Sequence, residues 1–373
     1  MQFKQSLKII SALLSSLVIS SVIPNIAFAK DETTSLKSFD NYSLDAMISK
    51  PDNVLDKDVK KVIVLIHGSG NQGMDEDLTV VTKNKMPNLV FKDISDELVK
   101  HGFAVFRYNK RSYQIGIDYK KDPSIIKSEE FANFQKNPLK YFVDDANESV
   151  KFLEKRFPNA KIYLLGHSEG TFVSLQVANM NNSVKGVSLI GFYTGLLDTL
   201  VFEQIVYRFI KGFNDLDVNN DGFISLDEMD NSKEQFAKII KSQLASLDID
   251  KDKKLSLSEF KAGQLSNILA KPMIPKEYTI QELSYPKVES IIKDSKFKVM
   301  FFQGMYDNQT PAYNAEAINF LNNVEWKKDN LKFNYFPKLG HSLDARESYE
   351  DIFFNKIDKD ALKKLGDEME NNF

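Results

Sequence analysis

The sequence predicts an α/β protein: a mostly parallel central sheet with helices on both faces, interrupted by one helical insertion. Three observations carry this. Unbroken runs of β-branched and aliphatic residues, such as Val62-Ile63-Val64-Leu65-Ile66, read as strands buried on both faces. Amphipathic helical stretches alternate with those runs. Between 199 and 271 helical segments alternate with acidic loops instead and no buried strand is expected, after which the alternation resumes.

In chain order, 36–48 reads as a hairpin and 51–60 as a charged loop. The strand 62–66 ends in the turn His67-Gly68-Ser69-Gly70. Segment 88–100 is helical, because Leu89, Val90, Ile94, Leu98 and Val99 share one face, and His101-Gly102 closes it. Segment 103–108 is the next strand. An amphipathic helix over 142–157 is stopped by Pro158. Then follow a strand at 162–165, a buried helix at 171–178 and a strand at 184–190. Beyond the insertion come a strand at 299–303, a helix at 314–322, a strand at 331–336 and a charged C-terminal helix.

Composition narrows the class. The 373 residues are 42% apolar and 27% charged, with a formal net charge of −3. That apolar content supports a sizeable core. Acids and lysines are interleaved without a basic stripe, so nucleic acid is not an expected partner and the charges are expected to be solvated. Segment 1–29 reads as an export signal. Lys4 and Lys8 precede an apolar stretch at 9–23, and Ala27-Phe28-Ala29 fits a small-x-small cleavage site. Cleavage after Ala29 predicts an exported protein, periplasmic or secreted, with no stable membrane anchor. The apolar run is short for a span and Pro24 interrupts its end. The chain has no cysteine, which excludes a lipid-anchored lipoprotein and any disulfide. The expected organisation is a signal at 1–29, a core at 30–198 and 272–373, and a helical cap at 199–271.

Chemistry concentrates at strand ends. Gly166-His167-Ser168-Glu169-Gly170 fits G-x-S-x-G between a strand and a helix, a context that strains the serine and projects its hydroxyl. A serine hydroxyl needs a base. Of the four histidines, His167 should point away from Ser168, and His67 and His101 lie in a turn and at a helix end. His341, after the last strand, is the expected general base. The acid that orients it is expected at Asp307, just past the strand 299–303, with Asp198 ranked second. Asp144 and Asp145 lie mid-helix and are expected to be solvated. The oxyanion requires two amides, expected from Glu169, directly after the nucleophile, and from Ser69 in the His67 turn.

The turn "HGSG", the strand "GFAVFRYNKRS", the elbow "LLGHSEG" and the loop "GMYDNQTP" together resemble bacterial α/β-hydrolase serine esterases. The branch resembled is the dienelactone-hydrolase-like one, related to prolyl-oligopeptidase catalytic domains. The resemblance covers most of 40–198 and 285–345. It implies the α/β-hydrolase fold, the Ser168, Asp307, His341 triad and carboxylic-ester hydrolysis as the default activity, but no particular substrate; a small-molecule ester is the expected partner. One departure stands out. After HGSG the family usually continues with Pro and an Asp-Arg-Asp run, whereas this chain has Asn71-Gln72-Gly73-Met74-Asp75-Glu76-Asp77.

The insertion carries two acidic twelve-residue segments with EF-hand spacing. In the first, Asp217, Asn219, Asp221 and Ser225 supply side-chain oxygens, Phe223 a carbonyl and Glu228 a bidentate carboxylate, with Gly222 at the sharp turn. In the second, the same places hold Asp248, Asp250, Asp252, Ser256, Lys254 and Glu259. There Lys253 replaces the glycine, so this loop is expected to bind calcium (Ca2+) more weakly. Ile224 and Leu255 occupy matching positions and should pair. The expected activity is carboxylic ester hydrolysis beneath a calcium-binding cap. Two alternatives remain: a prolyl-oligopeptidase-like peptidase or amidase, and a non-catalytic calcium-binding interaction protein on a hydrolase scaffold. Acyl esters against aminoacyl amides separate the first, and a serine-reactive fluorophosphonate the second.

Overall fold

The computed structural model describes residues 29–82, 85–207, 210–233, 235–351 and 353–373. The export signal expected at 1–29 lies outside these residues except for Ala29. The strands are β1 (Ala29–Lys37), β2 (Ser43–Pro51), β3 (Lys61–Ile66), β4 (Ala104–Tyr108), β5 (Lys161–His167), β6 (Val184–Ile190), β7 (Phe223–Ser225), β8 (Lys254–Ser256), β9 (Lys298–Gly304) and β10 (Leu331–Phe336). Eight of them form one sheet in the order β1-β2-β4-β3-β5-β6-β9-β10. β2 runs antiparallel to β1 and β4, and the remaining pairs are parallel. The central strands are buried on both sides, as their unbroken apolar runs require.

Two apolar layers sandwich the sheet. On one face the helices Val90–Lys100 and Lys359–Asn372 contribute Phe91, Ile94, Leu98, Leu365 and Met369. On the other the helices Pro138–Arg156, Glu169–Met180, Val288–Asp294 and Tyr313–Leu321 contribute Val143, Val150, Leu175, Ile292 and Ile318. The helix expected at 142–157 begins earlier, because Pro138 occupies its first turn with a backbone already set for helix.

A third, separate apolar cluster lies in the insertion, built on Phe213, Ile224, Met229, Leu255 and Phe260. There β7 and β8 pair antiparallel, with Ile224 opposite Leu255. Before the first acidic loop, helix is described over Leu197–Tyr207 and Ile210–Leu216; after it, Leu226–Asn231 ends at Ser232 and Gln235–Leu247 follows as a separate helix. Asn231 and Ser232, which compete for backbone hydrogen bonds, mark that end.

The charges are not all solvated, which corrects the reading of Asp145. This residue sits on the covered side of Pro138–Arg156 and is 1% exposed. It accepts from Arg111 Nε at 2.9 Å and Nη2 at 2.6 Å, and from the Ser38 hydroxyl. Arg111 also forks onto Asp40 at 2.8 and 3.0 Å. Burial pushes the Asp145 carboxyl up, while the Arg111 contact pulls against it. Asp144, by contrast, pairs with Lys140 on the outer side. Removing one partner of such a buried pair strands the other. Arg111→Met should therefore cost about 3–5 kcal/mol, read from urea unfolding midpoints. A loss below about 1 kcal/mol, the range of an exposed pair, would contradict this account.

Candidate active site

β5 ends at His167 and a helix starts at Glu169, leaving Ser168 to make the whole reversal. Its backbone sits at φ 54°, ψ −122°, a region strained for a residue with a side chain. The strain is imposed by close packing. A Cβ on Gly166 would lie 2.2 Å from the Gly170 carbonyl oxygen, and one on Gly170 would lie 2.0 Å from the Ile66 carbonyl oxygen. The helix thus touches the sheet backbone to backbone, and only glycine fits at either place. The Ser168 N–H donates to Ile190 O at 2.9 Å, so β6 holds the turn from one side. Ser168 is partly exposed in a cleft of about 230 Å³ that Gly68, Ser69, Gln204, Gln309 and His341 also line.

His341 and Asp307 come together from the ends of neighbouring strands. His341 Nδ1 lies 3.0 Å from Asp307 Oδ2 and 3.1 Å from Oδ1. Asp307 is fully buried and densely bonded. Oδ1 accepts from the Gln309 and Thr310 amides, each at 2.8 Å. Oδ2 accepts from the Thr310 hydroxyl at 2.7 Å and Gln303 Nε2 at 3.1 Å. Burial alone would raise the Asp307 carboxyl, but the His341 charge and these donors outweigh it and hold it below the usual range. Gly191 lies against the imidazole, since a Cβ there would sit 2.8 Å from the His341 ring. Asp198, ranked second as the acid, bonds Thr199 and Thr279.

The other histidines have different places. His67 packs on Phe91 and Tyr108, and burial, aided by the Lys110 charge, pushes it down to about 4. His101 caps a helix and bonds Glu97 and Glu370. His167 is buried with its ring 4.7 Å from that of His341. Its Nδ1 lies 3.0 Å from Glu76 Oε2 and its Nε2 3.3 Å from the His341 carbonyl oxygen.

Glu76 was not foreseen as part of the site. It lies in the run where the chain departs from the resembled pattern, at φ 46°, and is 1% exposed. Its Oε1 accepts the Gly68 N–H at 2.8 Å. Burial opposes its charge, but His167 and these bonds hold it below the usual range. Its neighbour Asp75 pairs with the buried Arg107. Lys110 is buried as well, donating to Gly68 O at 2.7 Å and to Glu169 Oε1 at 3.2 Å. Ser69 stands exposed at the cleft lip. Glu169 opens its helix, so its N–H is among those without a partner inside that helix. No local signal marks Glu76 or Lys110, although Thr310, three places after Asp307, could have been read as a turn partner.

The acidic loops fold alike. Asp217 accepts the Asp221 and Gly222 amides at 3.0 and 2.9 Å, and Asp248 the Asp252 and Lys253 amides at 3.1 and 2.9 Å. Ser225 with Glu228, and Ser256 with Glu259, form capping boxes at the following helices. Gly222 sits at φ 87° and Lys253 at φ 67°. Asp248, Asp250 and Asp252 bring carboxylate oxygens within 4.8 Å of one another. In the first loop the Asp221 amide donates to Asp217 Oδ1 at 3.0 Å and to Asn219 Oδ1 at 2.8 Å.

The two depressed carboxylates set an acid limit. A carboxylate held low when folded contributes stability fully present above its unfolded pKa, about 4, and lost as pH falls through the lower folded value. Stability should therefore drop steeply below about pH 4, and Glu76→Gln should flatten that fall. Urea midpoints taken down a pH series read the slope, and an unchanged slope in the variant would contradict the Glu76 assignment.

Residues 61–342 match the model of the alpha/beta hydrolase fold family. EstD, an esterase of Thermotoga maritima, is 32% identical over 145 residues, covering 39% of this chain. The match spans only 30% of that relative's own length. The esterase domain of a Rhodothermus marinus protein is 13% identical, with a TM-score of 0.46, covering 92% of this chain and 99% of that one. A dienelactone hydrolase from Anabaena variabilis is 10% identical, with a TM-score of 0.46, covering 92% and 97%. By the family match over most of its length, the chain belongs to the alpha/beta hydrolase fold family.

Proposed function

We propose that the protein is an exported serine hydrolase of carboxylic esters, with a calcium-binding cap at 199–271 beside its cleft. The observation that carries this is the strained Ser168 in one cleft with His341, whose Nδ1 rests on Asp307. The likeness to EstD, an esterase, favours esters over amides.

Ser168 Oγ attacks the acyl carbon while His341 Nε2 takes its proton. Asp307 holds the tautomer that leaves Nε2 free and stabilises the imidazolium that forms. The developing oxyanion is received by the amides of Ser69 and Glu169. His341 returns the proton to the departing alkoxide, leaving an ester on Ser168. Water repeats the sequence and releases the acid.

Calcium is assigned to Asp217, Asn219, Asp221, Ser225 and Glu228 with the Phe223 carbonyl. The second loop offers Asp248, Asp250, Asp252, Ser256 and Glu259 with the Lys254 carbonyl. When bound, the ion supplies charge that orders these loops. The second loop is the weaker, because a side chain held at φ 67° costs about 1–2 kcal/mol.

Ser168→Ala should lower p-nitrophenyl ester hydrolysis by about 10⁴-fold or more while leaving the fold intact. Full activity in that variant would sink the mechanism. Millimolar calcium should raise the melting temperature by about 1–3 °C per site relative to chelator. Asp217→Ala should abolish most of that rise and Asp248→Ala much less. Equal melting temperatures with and without the ion would remove calcium from the proposal.

A further inference from the structure

We propose that Lys110 is a positioning residue for the oxyanion amides, acting through the peptide between Gly68 and Ser69. The inference rests on the serine-hydrolase reading of the site and adds a residue that the reading does not use. That peptide is trans, as all described ones are, so its carbonyl and its N–H point in opposite directions. The carbonyl is Gly68 O, and the Lys110 ammonium holds it at 2.7 Å from the buried side. The N–H belongs to Ser69 and is thereby turned toward the cleft that Ser168 lines.

The same ammonium lies 3.2 Å from Glu169 Oε1, the side chain of the residue that offers the other amide. One cation thus ties the two chain segments that bring the oxyanion donors. Lys110 itself has little freedom. It is 5% exposed, and its Nζ lies 4.3 Å from the centroid of the Phe142 ring. Its own N–H donates to Gln72 O at 3.1 Å, which fastens it to the Ser69 loop through the backbone as well. On the other flank Glu76 Oε1 holds the Gly68 N–H at 2.8 Å. Two successive peptides are therefore fixed by buried charges of opposite sign. A flip of the Gly68–Ser69 peptide would withdraw the Ser69 N–H and turn a carbonyl toward the oxyanion in its place.

A cation on the carbonyl also polarises the amide, making its N–H a stronger donor. This advantage exists only when negative charge develops on the substrate oxygen. Lys110 should therefore influence kcat and not KM.

The test compares Lys110→Met/Glu169→Gln, which removes the cation without stranding a buried carboxylate, with wild-type protein and Lys110→Arg. With p-nitrophenyl acetate the double variant should lose about 30-fold in kcat, less than the loss of a whole oxyanion donor. Its KM should stay within about twofold. Its affinity for an alkyl trifluoromethyl ketone, which adds Ser168 Oγ and bears an oxyanion, should fall by the same factor as kcat/KM. Lys110→Arg, which keeps a charged donor, should recover most of the rate. Should the double variant not fold, Lys110→Gln carries the comparison, with a smaller fall in kcat and the same parallel loss of ketone affinity. A folded variant with kcat within about threefold of wild type, or a loss confined to KM, overturns the role of Lys110. Absence of Ser168-dependent hydrolysis in the wild-type protein would instead overturn the reading of the site itself.

Discussion

The backbone contact between the sheet and the helix Glu169–Met180 is the constraint from which the site follows. Gly170 lies against Ile66 and Gly166 against Gly170 at distances that admit no Cβ. With the strand and the helix that close, a single residue must reverse the chain, and it does so at positive φ. The cost, of order 1–3 kcal/mol for such a conformation, is met by apolar packing on both sides of the turn. Leu164, Leu165, Leu175 and Val177 are each 0% exposed, so the elements that grip the turn cannot relax to relieve it. Strain at Ser168 is thus a consequence of core packing, and it leaves the hydroxyl at the cleft without any further device.

Around this turn the structure spends buried charge where loops must hold one shape. Glu76, Lys110, Asp307 and Arg111 are all nearly or wholly buried, and each is held by more than one hydrogen-bond partner. Such groups are poor sources of net stability, because desolvation consumes most of the attraction. Their value lies in direction. Apolar packing fixes where a loop lies, whereas a carboxylate or ammonium on a particular amide or carbonyl fixes which way a peptide faces. The Gly68 loop, held through its N–H by Glu76 and its carbonyl by Lys110, shows both signs used in adjacent peptides.

This division explains what could be read from the sequence. Strand ends are visible as terminations of apolar runs, so Ser168, Asp307 and His341 could be named from local pattern and chain order. The structure brings Asp307 and His341 together across 34 positions. Glu76 and Lys110 could not be named in that way. Glu76 meets His167 across 91 positions and Lys110 meets Gly68 across 42, and no periodicity carries such pairings. Asp145 failed for the same reason in reverse. Composition made a mid-helix carboxylate look solvated, while the partner that allows its burial, Arg111, lies 34 positions away. In the insertion the loop spacing was legible because it is local, and the Ile224–Leu255 pairing because the two loops repeat one another and place these residues at matching positions. The end of the helix Leu226–Asn231 depends on a weak local preference of Asn231 and Ser232.

The insertion reaches the cleft by a short path, which bears on what calcium could do. Helix Leu257–Ala270, whose first turn contains Glu259, packs against helix Leu197–Tyr207. The latter carries Gln204, whose Nε2 donates to Gln309 O at 2.7 Å, beside the Asp307 loop. An ion in the proposed loops therefore acts on the wall of the cleft and not on the Ser168, His341 and Asp307 contacts. Extracellular sites of this kind bind at about 10⁻⁴–10⁻³ M, which at about 1 mM calcium stabilises by only about 0.4–1.4 kcal/mol each. Swinging a two-state cap from one form to the other needs about 5.5 kcal/mol. Two weak sites fall short of that, and tight ones would stay filled at millimolar calcium. In both cases calcium in the proposed loops would set how well the wall around Gln204 is ordered, so its influence would belong to substrate selection and not to switching the proposed chemistry on.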